Sequence, residues 1–254
     1  EMGAAAVAHA PADGYTILLG NSSVMVINPL AGGHASYDPV GSFDAVSLLG
    51  RIAQAIVVNP SVPANNLQEL ASYAKRHPDK LSYGTPGVGS LNHLTGELFK
   101  LLVDSPGIVH VPYRGAGPAI ADVIAGQIPM AIPAVNGQLL QFHRGGRLRI
   151  LAVTSPERLR AAPDLPTARE AGMPNLVVQG ANWLCVPRGT PAAVIARISE
   201  ATGRALADPD LQRIYLTSGI EPASDSSPQG AAQFLQSEIA RWKPIVQRIG
   251  LKLD

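Results

Sequence analysis

The sequence is poor in cysteine and in charge, and both shortages exclude classes of protein. Cys185 is the only cysteine, so an internal disulfide is excluded, and its apolar neighbours predict a small buried side chain. Charged residues make up 15% of the chain, and 20 basic against 19 acidic side chains leave a formal net charge of +1. Such a balance indicates neither nucleic-acid binding nor attraction to an anionic membrane. Any attraction for a charged ligand must therefore be local.

Long apolar runs and a signal sequence are also lacking. No run approaches the roughly 20 apolar residues that cross a bilayer, so the chain is not expected to be membrane-inserted. The chain opens with Glu1-Met2-Gly3 and passes directly into an Ala-rich stretch of helical character, without the features of a signal peptide. We expect that processing or truncation set this start.

Motifs of catalysis, metal binding and nucleotide binding are missing as well. The six histidines form no close pair at metal-ligand spacing, and neither a His-Glu-x-x-His nor a Gly-x-Ser-x-Gly motif occurs. Gly87 and Gly89 are followed by Asn92 where a dinucleotide-binding motif needs a small residue, and there is no P-loop sequence. The sequence thus predicts no metal, no cofactor and no catalytic residue, although a triad assembled in space stays open.

Apolar runs of strand length alternate with helical periodicity along most of the chain. This pattern predicts an α/β fold with mainly parallel sheets and crossover helices. A buried strand is predicted at residues 15–19 and a helix at residues 67–76. The long apolar segment 45–59 and a proline-rich segment after residue 153 are predicted to carry the chain between two lobes. The predicted lobes comprise residues 1–56 with 180–254, and residues 57–179.

The most informative segment is residues 82–94, which combine a strand end, a glycine-rich turn and the start of a helix. Ser90 is predicted to cap this helix, with His93 at its third position. The first amides of a helix lack intrahelical acceptors and lie at the positive end of its dipole, so they can bind a carboxylate without a formal charge. A purely conformational role for Gly87 and Gly89, and a structural role for the lone histidine, stay open.

Three further turns have the same character: Gly20-Asn21-Ser22-Ser23, Arg114-Gly115-Ala116-Gly117 and Pro133-Ala134-Val135-Asn136. Ligands of open α/β folds bind outside the carboxyl ends of the strands, where such turns converge. Hydroxyl and amide donors on several turns fit an anionic or polar organic solute. Each turn alone is a weak indication, because Asn, Ser and Gly are common in ordinary loops.

Taken together, several segments resemble a known family over nearly the whole chain, in order and with similar spacing. They are Ala12-Asp13-Gly14-Tyr15-Thr16, Leu19-Gly20-Asn21, residues 84–93, Val111-Pro112-Tyr113-Arg114-Gly115, Leu151-Ala152-Val153-Thr154-Ser155, Pro163-Asp164-Leu165-Pro166-Thr167 and Pro187-Arg188-Gly189-Thr190-Pro191. The sequence is similar in these segments to the substrate-binding receptors of tripartite tricarboxylate transporters, the Bug family.

The resemblance implies a monomeric periplasmic receptor of the periplasmic-binding-protein type (type II), in which two α/β lobes close on a small carboxylate. Such a receptor catalyses no reaction, needs no cofactor and hands its solute to membrane transporter subunits. Carried onto this sequence, the ligand-binding residues of the second lobe are Thr85, Gly87, Gly89, Ser90, His93, Gly115 and Asn136, and those of the first lobe are Ser22 and Ser23. Trp183 lies on the returning strand, where lining the cleft and packing in the core both stay open.

Two departures from the family concern the ligand. Family members begin with a strand and a glycine-rich loop that contribute to the first lobe's grip on the carboxylate, and we expect this unit and the signal peptide to lie outside the sequence. Where the family usually shows Gly-x-x-Asp, this chain has Gly126-Gln127-Ile128-Pro129, so a proline replaces an acidic residue. The identity of the solute is therefore left open. Two other functions also stay open, a small-metabolite enzyme that uses the same cleft and a ligand sensor for a signalling partner.

Overall fold

The computed structural model describes residues 2–32, 36–77 and 79–252. The chain forms two compact units. The first comprises Glu1–Arg51, Gly180–Tyr215 and Glu221–Asp254, and the second comprises Ile52–Gln179 and Leu216–Ile220. Residues 52–56, placed in the first lobe by the sequence, thus group with the second unit. The interpretation of the two units as the lobes of a receptor stays a prediction.

The first unit contains a four-stranded sheet and helices from both ends of the chain. Its elements are α1 (Met2–Ala8), β1 (Leu18–Asn21), a π-helical turn (Ser23–Ile27) that continues as α2 (Asn28–Leu30), most of β2 (Phe43–Ala53), most of β8 (Gln179–Pro187), α7 (Ala192–Leu206), most of α8 (Pro209–Thr217), most of β9 (Ile220–Pro222) and α9 (Pro228–Ile249). The strand order is β1-β8-β2-β9, with β1 antiparallel to β8.

Two tryptophans are the largest fully buried side chains in the part of the chain that the structure describes, and both belong to the first unit. Trp183 and Trp242 are fully buried, and each indole N–H has a partner. Trp183 Nε1 donates to the carbonyl of Ala231 at 3.1 Å, and Trp242 Nε1 donates to the carboxylate of Glu238 at 3.0 Å. Of the two roles left open for Trp183, the structure therefore shows core packing. Cys185 is also fully buried, as expected.

The prediction of a buried strand at residues 15–19 is wrong in its bounds. The strand runs from Leu18 to Asn21, and Tyr15 is 92% exposed. The backbone amide of Tyr15 donates to the side chain of Asp13 at 3.0 Å. This local bond holds residues 13–15 in a turn, so extended pairing begins only at Leu18, opposite Cys185.

The second unit contains a five-stranded mixed sheet with helices between its strands. Its elements are β3 (Ala55–Val58), α3 (Leu67–Arg76), β4 (Ser82–Thr85), α4 (Leu91–Leu102), β5 (Val109–Pro112), α5 (Ala116–Ile124), β6 (Met130–Ala131), α6 (Gly137–Arg144) and β7 (Arg149–Val153). The strand order is β5-β4-β6-β3-β7. Strand β4 is parallel to β5 and β6, whereas β3 is antiparallel to β6 and β7.

Local sequence signals account for the helices of this unit. Helix α3 begins after Asn66, whose side chain accepts the amide of Glu69 at 2.8 Å, and it buries Leu67, Leu70 and Ala74 on one stripe. The helix predicted at residues 67–76 is thereby confirmed.

Thr154 ties together the two chain segments that enter and leave the second unit. Its hydroxyl oxygen accepts the amide of Gln54 at 2.9 Å, and the hydroxyl group also donates to the carbonyl of Val178. Thr154 is fully buried, so these bonds fix the amino end of β3 beside the carboxyl end of β7. None of the helices in the described ranges is long and apolar enough to span a membrane.

Candidate functional site

The carboxyl ends of four strands meet at one edge of the second unit's sheet. Strands β4, β5 and β6 are parallel, and β7 has the same direction because β3 is antiparallel to both β6 and β7. The loops that leave this edge are residues 85–90, 113–115 and 132–136. Seven of the nine residues predicted to bind the ligand lie in these loops or in the helical turn that follows: Thr85, Gly87, Gly89, Ser90, His93, Gly115 and Asn136.

The 85–90 loop turns sharply into α4. Gly87 and Gly89 have φ values of 149° and 76°, which residues other than glycine rarely adopt. Ser90 caps α4 as predicted, since its hydroxyl oxygen accepts the amide of His93 at 3.1 Å. The same hydroxyl donates to the carbonyl of Gly87 at 2.7 Å. The turn and the cap therefore stabilise each other.

The amides inside this loop are held by long hydrogen bonds. The amide of Gly87 donates to the Thr85 hydroxyl at 3.3 Å, and the amide of Gly89 donates to Nδ1 of His93 at 3.4 Å. Hydrogen bonds of this length are weaker than those near 2.9 Å. A carboxylate oxygen at normal distance would be a better acceptor for the amide of Gly87, which is partly exposed, whereas Gly89 is buried and its amide faces the His93 ring.

The 113–115 loop is hydrogen-bonded to the 85–90 loop. The amide of Tyr113 donates to the carbonyl of Thr85 at 2.9 Å, and the amide of Gly115 donates to the carbonyl of Pro86 at 3.2 Å. Gly115 is the N-cap of α5 and has no side chain with which to cap it. The glycine-rich turn is thus hydrogen-bonded to the start of a helix, α5, whose N-terminus has no side-chain cap. Arg114 is exposed to solvent.

Asn136, Ser22 and Ser23 have structural partners or lie in the other unit. The Asn136 side-chain oxygen caps α6 by accepting the amide of Leu139 at 2.9 Å. Ser22 lies in the first unit, where its buried hydroxyl oxygen accepts the amide of Ala181 at 2.9 Å. Ser23 begins the π-helical turn of the same unit. For these three residues, as for the other six, ligand binding stays a prediction.

His93 lies within a buried polar cluster behind the 85–90 loop. It is 7% exposed, and its ring stacks on that of His110 with centroids 3.9 Å apart and planes inclined by 16°. Nε2 of His93 lies 3.9 Å from the Glu97 carboxylate, which accepts a hydrogen bond from the Tyr83 hydroxyl at 2.6 Å and pairs with Lys100 at 3.0 Å. The structure therefore places His93 where it supports the loop.

Burial controls the ionisation of this cluster. It lowers the pKa of His93, with the positive charge of Lys100 acting in the same direction and Glu97 opposing them. It also lowers the pKa of His110 to about 4, and the neighbouring His93 adds to the effect. Burial and the hydrogen bond to Glu97 raise the pKa of the Tyr83 hydroxyl. Both rings are therefore neutral at pH 7.

Sequence reasoning missed four polar residues at or beside this edge: Gln54, Asn92, His110 and Ser155. The Asn92 side-chain amide donates to the Gln54 side chain at 2.5 Å and to the carbonyl of Ile132 at 2.9 Å. Ser155 follows β7 and is 2% exposed, and its hydroxyl has no hydrogen-bond partner in the part of the chain that the structure describes. Only the position of Ser155 after a strand gave a signal in the sequence. The other three require knowledge of which elements are neighbours.

The first unit has a cavity of its own. It encloses ≈ 300 Å³ and is lined by Phe43, Cys185 and Leu235 among others, with the ion pair of Asp44 and Arg188 beside them. None of the nine predicted ligand-binding residues lines this cavity. Burial raises the pKa of the Cys185 thiol to about 12, so that thiol is un-ionised at pH 7.

Two sheet-containing units and polar loops at the carboxyl ends of strands define the class of periplasmic-binding-protein-like α/β proteins. The chain resembles the periplasmic binding protein BugD with 28% identity over 99% of this chain and 83% of BugD, at a TM-score of 0.87. It resembles MatC of Rhodopseudomonas palustris, solved with bound malate, with 30% identity over 96% and 83% of the two chains and a TM-score of 0.86. Another R. palustris protein, solved with adipate, shows 31% identity over 99% and 83%, at a TM-score of 0.87.

The family model of the tripartite tricarboxylate transporter family receptor matches residues 1–251. The chain therefore belongs to this receptor family, and the resemblance seen in the sequence is confirmed. The predicted α/β fold class is also confirmed. Family membership and ligand-bound neighbours support a solute-binding role.

Proposed function

We propose that the chain is a periplasmic receptor that binds a small carboxylate-bearing metabolite and delivers it to a tripartite tricarboxylate-type membrane transporter. The observation that carries the proposal is the pair of joined loops, 85–90 and 113–115, at the carboxyl edge of the second unit's sheet. The long-bonded amide of Gly87 and the N-terminus of α5 provide donors for an anion without any formal positive charge.

The proposed ligand-binding residues fall into three groups. Thr85, Gly87, Gly89 and Ser90 form the first loop, Gly115 opens α5, and Asn136 opens α6 at the same edge. His93 acts from behind the first loop. Ser22 and Ser23 are the proposed contribution of the first unit, in keeping with the proposed assignment of the two units as lobes.

The ligand class is supported by two neighbours and by local charge. MatC was solved with malate and the second R. palustris protein with adipate, both of which are dicarboxylates. The loops of this chain carry polar donors and no buried acidic residue at the turn itself, which suits an anionic ligand. Periplasmic location and delivery to transporter subunits are supported by family membership.

A thermal-shift screen with matched acids and amides tests the ligand class. The panel contains malate, adipate and other small dicarboxylates, each beside the diamide of the same carbon skeleton. A solute at 100 times its dissociation constant adds about 2.7 kcal/mol to stability. At about 2–4 °C per kcal/mol, the midpoint should rise by roughly 5–10 °C. We expect such a rise with at least one acid and none with its diamide.

A product assay on each stabilising acid completes this test. Unchanged acid after prolonged incubation is the expected result for a receptor. A chemical change in the acid would show that the protein is an enzyme and not a receptor. Stabilisation by the diamides alone would show that the ligand does not need a carboxylate. The delivery step is tested separately: cells that lack this protein should no longer take up the same acid.

A further inference from the structure

The edge strand β5 contributes a side chain that reaches the 85–90 loop from outside it. Nε2 of His110 lies 2.7 Å from the hydroxyl of Thr85, the first residue of the loop. The His110 ring contacts two others: it stacks on His93 with centroids 3.9 Å apart, and its centroid lies 5.0 Å from that of Tyr83. This arrangement fixes both the position and the plane of the imidazole.

We propose that His110 is a positioning residue for ligand binding, whose neutral ring accepts a hydrogen bond from Thr85 and so fixes the Gly87 amide. The proposal rests on the proposed function, since it concerns how the same loop is held. His110 itself touches no ligand in this role and acts through Thr85.

The hydroxyl of Thr85 has two possible arrangements, and Nε2 of His110 selects between them: without a proton, as in the neutral tautomer protonated on Nδ1, it accepts, and with a proton it donates. When Nε2 accepts, the hydroxyl proton points at His110 and the oxygen accepts the amide of Gly87, 3.3 Å away. When His110 is protonated, Nε2 becomes a donor. The hydroxyl proton must then turn to the carbonyl of Gly87, also 3.3 Å away, which already accepts the hydroxyl of Ser90. A proton on His110 therefore adds a second donor at the Gly87 carbonyl, and it makes the Thr85 oxygen that accepts the Gly87 amide accept from His110 as well.

The surroundings of His110 oppose that proton. The titratable and charged groups that face the ring are Tyr83 of β4 and His93, Glu97 and Lys100 of α4. Burial and His93 together hold the pKa of His110 near 4 against the attraction of Glu97. This pKa lies below the value of about 6.5 in the unfolded chain. The contribution of neutral His110 to folding stability is therefore fully present above pH 6.5 and is lost as the pH falls toward 4. The loop thus keeps its arrangement throughout the neutral range.

The amide of Gly87 reports this coupling without any ligand, because it is the amide that bonds the Thr85 hydroxyl. Its ¹⁵N–¹H resonance is followed from pH 7.5 to 3.5 in the wild type, in His110→Gln and in His77→Gln, a control at the exposed end of α3. We expect a wild-type transition well below pH 6.5, its loss in His110→Gln and its retention in His77→Gln. The same transition in His110→Gln, or its absence from the wild type, would overturn the proposal.

Binding at pH 7.5 provides the second readout, with malate and adipate as probes. His110→Phe keeps an aromatic ring for stacking but cannot bond Thr85, whereas glutamine restores a hydrogen-bonding group that does not titrate. We expect an affinity loss of about tenfold, the scale of one hydrogen bond, in His110→Phe and recovery of most of it in His110→Gln. Equal affinity of phenylalanine and wild type would overturn the proposal. If neither probe binds the wild type, the proposed function fails on these ligands, while the amide titration still decides the role of His110.

Discussion

Replacing Gly87 by valine is expected to weaken dicarboxylate binding by about 10- to 150-fold, the range set by losing one or two charge-assisted hydrogen bonds. Gly87 has φ 149° and lies, partly exposed, in the turn that precedes α4. An added Cβ there meets only the Tyr113 carbonyl oxygen, at 3.6 Å, so a branched side chain can occupy the space beside the Gly87 amide where the carboxylate is proposed to bind. The affinity of the variant for the acid that gives the largest thermal shift is measured by calorimetric titration.

Gly146→Val is the matched control for this variant. Gly146 also has a positive φ, 68°, and a Cβ added there meets no atom within 4 Å. It follows α6 and precedes β7, so it lies at the sheet edge opposite the candidate loops. Both substitutions place valine in backbone of positive φ and should lower the free energy of unfolding by about 1–3 kcal/mol. If the folded Gly87 variant binds as tightly as the Gly146 variant, the 85–90 loop is not the ligand site.

Gly96→Ala is expected to lower the free energy of unfolding by about 1–3 kcal/mol, the range for overpacking a core. Gly96 lies in α4, and an added Cβ would come within 2.1 Å of the buried Tyr83 ring. That ring cannot move freely, because its hydroxyl donates to Glu97 and it packs beside His110. Displacing Tyr83 should therefore also disturb the cluster behind the loop and weaken ligand binding.

Gly203→Ala separates this packing effect from helix propensity. Gly203 lies in α7 of the first unit, and an added Cβ meets nothing within 4 Å. Alanine in a helix interior is favoured over glycine by about 0.5–1 kcal/mol, so this variant should be more stable than the wild type. Urea unfolding compares the two variants. Equal gains in stability from both substitutions would show that the contact between α4 and Tyr83 is not tight.

Features that depend on neighbours along the chain could be predicted from the sequence. Ser90 was identified as a cap because it follows a glycine-rich turn and precedes an apolar helical stripe, and the helix at residues 67–76 has the same kind of signal. The prediction of a strand at residues 15–19 is wrong for an equally local reason, since the Asp13 side chain holds Tyr15 in a turn. Strand boundaries depend on where pairing starts, which the partner strand decides.

Features that depend on residues far apart in the chain could not be predicted. The sequence indicates His93 by its place in a helix, but its burial depends on His110 of β5, which stacks on it. Gln54 and Asn92 are 38 residues apart and come together only because β3 and α4 belong to one unit. Likewise, nothing in the local pattern of residues 52–56 indicates that they group with the second unit.

Backbone amide mapping tests the central claim most directly. The ¹⁵N–¹H resonances of the whole chain are recorded during titration with the dicarboxylate that stabilises it most, at a pH where the acid is fully ionised. The expected result is that the largest saturable shifts fall on Gly87, Gly89 and Ser90 and on Gly115 with the first turn of α5. Shifts confined to the cavity lined by Phe43 and Leu235, with these loops unchanged, would contradict the claim.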